Sequence, residues 1–192
     1  MHSSMVYTTR VAILASAATI LMLLEVPVIF MPPFLKLDFS DIPAIIGAFA
    51  LGPLAGWLIV LLKNILHVSY TQTAGIGEMA NFLVGTGFVV PAALLYCHSK
   101  NRKGALLSLI AGTLSMTVVA AAVNYWILIP LYQTALHLPL EAIISMGKAA
   151  NPLIIDLKSF IVFAIVPFNL FKGVIVSVIT LLVYKKLSPI LH

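Results

Sequence analysis

The stretch PFLKLDFSDIPAIIGAFALGPLAG, Pro33 to Gly56, is where a very apolar chain gathers charge, aromatic residues and helix punctuation in one place. Lys36, Asp38 and Asp41 sit there between two hydrophobic runs. They belong to a loop or a membrane boundary, because on a lipid-facing helix each would cost several kcal/mol. Ser40 or Asp41 followed by Pro43 reads as an N-cap with proline in the first turn, so a helix starts directly after the charges. Gly52 and Pro53 then break that helix and start the next one.

The rest of the chain sets the environment in which this stretch folds. Its 192 residues are 61% hydrophobic and 9% charged, with mean hydropathy +1.11. A soluble domain needs roughly a quarter of its residues charged to cover its surface, which excludes that class here. Several windows approach the roughly 20 apolar residues that cross a bilayer as a helix, and they do not alternate as barrel strands do. The expected fold is an all-α integral membrane protein, a single six-helix domain over 1–192 with six transmembrane helices.

Expected span one runs from Tyr7 to Phe30, stopped by Pro32 and Pro33; span two from Asp41 to Leu51, short for a full crossing; span three from Pro53 to His67. Span four runs from Glu78 to Cys97, a basic turn follows at His98 to Lys103, and span five extends from Gly104 to Tyr132. Between His137 and Val166 the polar residues predict an external loop with a short amphipathic helix. Leu157 to Val166 is either part of the last span or a separate interfacial segment, and the crossing part of span six is placed from Pro167 to Leu187.

Six spans put both termini on one side of the membrane. Arg10, the cluster Lys100, Arg102 and Lys103, and the pair Lys185 and Lys186 all fall on that side, which the positive-inside rule makes cytoplasmic. The net charge of +5 is therefore a topology signal and predicts no nucleic-acid partner. Cys97 is the single cysteine, so no intrachain disulfide forms.

On this topology polar residues converge on the outer half of the bundle: Lys36 and Asp38 in the first loop, Glu78 and Asn81 opening span four, Asn124 and Tyr125 late in span five, and Asn169 and Lys172 early in span six. Asn169 and Lys172 are three apart and share a helix face, as do Glu78 and Asn81. Each asparagine taken alone reads as interhelical glue and Lys172 as a snorkelling lysine. Taken together they read as one ligand site, in which carboxamides supply donor and acceptor and the lysine a further donor. Phe34, Phe39, Tyr125, Trp126 and Phe168 are available as aromatic walls or as an interfacial belt. Ala12 with Ser16, Ala15 with Thr19, and Gly52 with Gly56 give small-xxx-small spacing for close helix contact.

No phosphate-binding loop, H-E-x-x-H or Cys/His metal pattern is present, and the histidines are scattered.

The segments FLKLDFSDIPAIIGAFALGPLAG, GEMANFLVG, Asn124-Tyr125 and PFNLFKG resemble the riboflavin-specific substrate-binding (S) components of energy-coupling factor transporters. The resemblance implies a cell-membrane protein that captures riboflavin from outside and catalyses no reaction. By the same resemblance it is expected to work with a transmembrane coupling subunit and two cytoplasmic ATPases. It implies that Leu37, Asp38 and Phe39 line the flavin pocket and that Asn81, Asn124, Asn169 and Lys172 make polar contacts, with Tyr125 among the site residues. Small residues of the first helix, Ala12, Ala15 and Ser16, are the implied contacts to the coupling subunit. Riboflavin is then cargo, with no resident cofactor and no metal. Competing readings are the same scaffold for another vitamin or for FMN as well, a small membrane enzyme using Asp38, Glu78 or Lys172, and a purely structural subunit.

Overall fold

The computed structural model describes residues 2–28, 31 and 35–191, with side chains from 5 to 183 within those ranges. Phe34, the prolines Pro32 and Pro33, and the Lys185 and Lys186 side chains lie outside the described residues. Helix α1 spans His2–Leu23. It ends seven residues before the expected Phe30, because Pro27 pushes the residue before it into extended backbone and lacks the N–H that a helix requires. Val26–Pro27 instead forms strand β1, paired antiparallel with β2, Lys36–Leu37, in the register Val26 to Leu37. Glu25 follows α1 and forms a half-exposed ion pair with Lys36, Nζ to Oε2 2.6 Å.

Helices α2, Asp41–Leu51, and α3, Pro53–His67, have the bounds expected from the sequence. Gly52 separates them at φ +100°, a conformation that favours glycine, and its N–H donates to the Ala48 carbonyl while Pro53 opens the next helix. At about 1.5 Å per residue, the 11 residues of α2 reach only about half of a ~30 Å hydrocarbon layer. The protein itself surrounds this helix, and Asp41 to Phe49 are all buried. Helix α4 spans Ile76–His98 and α5 spans Arg102–Val123. The main core cluster is built from Ala15 and Ala18 of α1, Ile45 and Phe49 of α2, Ile59 of α3, Phe88 and Val89 of α4, and Leu109 and Met116 of α5.

Gly56 shows how close these helices come. A Cβ there would lie 2.4 Å from Ala48 Cβ and 2.6 Å from Val89 Cγ1, so the small residue serves α2–α3–α4 packing within the chain. Gly52, its expected partner in the small-xxx-small pair, serves the turn. On α1, Ala15 is buried in the same core, whereas Ala12 and Ser16 face outward.

Two long helical segments carry π turns. α5 passes through one at Asn124–Leu128 into α6, Ile129–Ala135. The short α8, Leu157–Phe160, passes through another at Ile161–Ile165 into α9, Val166–Leu191. In each case a proline, Pro130 or Pro167, sits two residues beyond the π turn. Proline removes one i→i−4 bond and its ring collides with the carbonyl four residues back; the wider turn accommodates both effects. Pro167 therefore lies inside the last span rather than at its start, and that apolar span runs Leu157–Val183, which assigns Leu157 to Val166 to it.

The expected amphipathic helix is α7, Leu140–Ala150. It packs through Ile143 and Gly147 against Phe160 and Ile154 in a second core cluster. Among the described residues five helical segments are long and apolar enough to cross a membrane: Met5–Leu23, Pro53–Tyr70, Ile76–His98, Arg102–Ala135 and Leu157–Val183, with α2 as a shorter apolar helix.

Candidate functional site

The two carboxylates of the opening stretch fold inward. Asp38, in the loop between β2 and α2, is 4% exposed, and Asp41 in the first turn of α2 is 1% exposed. Ser40 precedes α2 without capping it, contrary to the expected side-chain cap, because its hydroxyl is committed elsewhere: Oγ donates to Asp38 Oδ1 and accepts from Lys63 Nζ at 2.6 Å. Lys63, from the second half of α3, also reaches Asp41 Oδ1 at 2.6 Å. From α9, Lys172 reaches Asp38 Oδ2 at 2.7 Å and Asp41 Oδ2 at 3.4 Å. Asn81 of α4 donates to Asp38 Oδ2 at 3.2 Å and accepts from Asn64 at 3.4 Å.

Each charge in this network has a partner of opposite sign, with Lys63 and Lys172 against Asp38 and Asp41, so the buried cluster is neutral. That balance is what makes it tolerable, since an unpaired buried ion costs several kcal/mol. Burial by itself would push the Asp38 carboxyl up, but Lys172, then Lys63, and the hydrogen bonds from Lys172 and Ser40 outweigh it and hold the carboxyl well below the usual carboxylate range. The Asn64 carbonyl Oδ1 is buried without a partner, while its Nδ2 donates to the Val60 carbonyl at 2.8 Å.

A second buried pair lies one turn beyond. His67 Nδ1 meets Glu78 Oε1 at 2.9 Å, and Glu78 Oε2 accepts from Thr71 Oγ1 at 2.8 Å. Glu78 thus serves the α3–α4 connection, whereas Asn81, on the same face of α4, serves the Asp38 network.

The remaining expected residues sit around these. Leu37 is buried beside Asp38, and Phe39 packs against the main core. Asn169 is buried on the Lys172 face of α9 and donates to the Ile165 carbonyl at 2.8 Å, at the end of its π turn. Asn124 begins the other π turn and donates to the Ala120 carbonyl at 2.8 Å. The two π turns pack against each other, so Asn124 and Asn169 are brought to neighbouring backbones rather than bonded to each other. Tyr125 packs against the second core cluster, edge-on to the exposed Trp126. Lys36 is drawn away from the cluster by Glu25.

Lys63, Asn64 and His67 were not among the expected residues. Their signal was present as a cation and two polar groups within the apolar helix PLAGWLIVLLKNILH, since an ionisable residue at such a position marks function or a buried partner. Among the described residues, no group of three or more His, Cys, Asp or Glu is placed to hold a metal ion. A surface hollow of about 430 Å³ at the α4–α5 turn, lined by His98, Ser99, Asn101 and Lys103, lies at the opposite end of α4 from Asn81.

Residues 6–184 match the family model for the ECF transporter substrate-specific component. The chain belongs to that family. This S component is similar to the riboflavin transporter RibU of Staphylococcus aureus, 35% identical over 94% of this chain and 89% of the relative. It is also similar to the riboflavin transporter FmnP of Bacillus subtilis, 38% identical over 93% and 90%. A solved S component of a bacterial ECF transporter superposes with a TM-score of 0.76 at 31% identity, covering 97% of both chains. The S component is thus a multi-pass protein of the cell membrane, and its family comprises transport subunits rather than enzymes.

Proposed function

We propose that this S component captures riboflavin at the extracellular side of an ATP-driven uptake transporter. The observation that carries the reading is the buried meeting of Asp38, Asn81 and Lys172 from the first loop, α4 and α9. Relatives that match nearly the whole chain and are named riboflavin transporters support it. The flavin pyrimidine edge alternates carbonyl acceptors with an N–H donor, and the ribityl chain carries hydroxyls. Carboxamides and an ammonium complement both. In this proposal Leu37, Asp38, Phe39, Asn81, Asn124, Tyr125, Asn169 and Lys172 surround the flavin, which is cargo and not a cofactor.

The partners proposed from the family are a transmembrane coupling subunit and two cytoplasmic ATPases, with Ala12 and Ser16 on the outward face of α1 available for the coupling subunit. In this proposal α2 counts as a buried, shortened sixth span, so both termini share one side, which the positive-inside rule makes cytoplasmic.

Titration of purified protein with riboflavin, followed by flavin fluorescence quenching, tests the assignment. Saturable quenching that weakens at least tenfold in Lys172→Ala or Asn169→Ala supports it. A folded wild type that leaves flavin fluorescence unchanged overturns the ligand assignment.

A further inference from the structure

Lys63 has no task in the reading above, yet its long side chain lies fully buried, at 0% exposure. A methionine would fill the same space at less cost, since an ammonium must be compensated for the water it loses. The compensation is specific. Nζ lies 2.6 Å from Asp41 Oδ1 and 2.6 Å from Ser40 Oγ, and Ser40 in turn donates to Asp38 Oδ1. Asp41 stands between the two lysines, with Oδ1 taken at 2.6 Å by Lys63 and Oδ2 only at 3.4 Å by Lys172. Lys172 itself is engaged closely by Asp38 alone, at 2.7 Å.

This geometry sets how freely Lys172 can exchange partners. With Lys63 present, Asp41 is already neutralised, and Lys172 has one carboxylate to leave when a ligand oxygen arrives. Without Lys63, two adjacent buried carboxylates would share one ammonium and hold it between them. We infer that Lys63 is a positioning residue for ligand capture, which neutralises Asp41 and fixes Ser40 so that Lys172 can turn from Asp38 to the ligand. The inference rests on the proposed placement of Lys172 at the riboflavin site.

The test uses the full chain and riboflavin itself, with Kd read by flavin quenching between about pH 5 and pH 8. The groups facing Lys63 are Asp41, Asp38 and Ser40 from the first loop and α2, and Lys172 from α9; Asn81 on α4 is uncharged. The His67–Glu78 pair one turn along α3 is common to every variant, so differences between profiles report on Lys63.

Lys63→Met is expected to weaken binding about tenfold or more, because two adjacent buried carboxylates then hold Lys172 between them. Lys63→Met/Asp41→Asn, which restores neutrality, is expected to bind within about threefold of wild type across the range. The inference is overturned if Lys63→Met folds and binds as wild type throughout. It is equally overturned if the double variant folds but binds as weakly as a Lys172→Ala control. Should Lys63→Met fail to fold, the double variant alone decides between these outcomes. A wild type that does not bind riboflavin removes the placement of Lys172 and this role with it, and that failure is seen before any variant is made.

Discussion

Lys172 and Asp38 are separated by 134 positions in the chain, yet meet at 2.7 Å in a site closed to solvent. The contact joins the last apolar span to the loop that precedes α2. Because the pair is buried, removing one member leaves the other's charge short of its partner.

Removing one member should therefore cost more than removing both. Lys172→Met is expected to destabilise the ligand-free protein by about 3–5 kcal/mol. Asp38→Asn/Lys172→Met should recover much of that loss, as measured by thermal unfolding in detergent. Equal losses in the single and double variants would show that the pair contributes through packing rather than charge.

The depressed Asp38 carboxyl makes a signed prediction about pH. A carboxylate held below its unfolded value of about 3.9 contributes stability that is fully present above that value and is lost as pH falls towards the folded one. The difference in stability between wild type and Asp38→Asn should be constant from neutral pH down to about 5 and shrink only below about 4. A difference that already declines between pH 7 and 6 would contradict the ion pair.

Gly56 and Gly52 should fail for different reasons. Gly56→Ala forces a Cβ to within 2.4 Å of Ala48 and is expected to cost about 1–3 kcal/mol by overpacking. Gly52→Ala meets no atom within 4 Å and should cost about 1–3 kcal/mol through its positive φ alone. Pairing Gly56→Ala with Ala48→Gly should relieve part of the first loss, the part left by Val89 Cγ1 at 2.6 Å remaining, and no repacking should relieve the second.

The start of the last span depends on Asp156, whose side chain accepts from the Ser159 amide at 2.7 Å while Ser159 Oγ returns a contact to the Asp156 amide. The Ser159 hydroxyl and the Ser159 backbone N–H both donate to the Asp156 carboxylate and hold it below its ordinary value. Asp156→Ala should speed hydrogen exchange at the first turn of α8 while leaving α9 unchanged, and Asp156→Asn should retain most of the protection.

Topology is accessible through the native thiol. Cys97 is exposed near the end of α4, which the proposed six-span arrangement places in the cytoplasm. A membrane-impermeant maleimide should leave it unlabelled in intact cells, while Cys97→Ser carrying Ser145→Cys on α7 should label from outside. The reverse pattern would invert the orientation.

Much of the architecture was legible because it depends on local chemistry. The boundaries of α2 and α3 follow from Asp41, Gly52 and Pro53, residues whose backbone preferences act over a few positions. α7 likewise announces itself by its amphipathic spacing. Pro27 and Pro167 misled in opposite directions: the first ends a helix early, and the second sits inside one because a π turn accommodates it. Whether a proline stops a helix depends on what packs around the next turn, which a linear reading does not contain.

The site divides in the same way. By itself the sequence determined that a membrane-embedded chain of this composition must turn Asp38, Asn81, Asn169 and Lys172 inward, since lipid offers those groups no partner. Only the tertiary structure decided which partners they take. It drew Lys36 aside to Glu25, committed Ser40 to Asp38 instead of to a helix cap, and brought Lys63 against Asp41. The reason is physical: burial of a polar group is dictated by the solvent it avoids, whereas the neutralisation of a buried charge depends on distances between helices far apart in the chain.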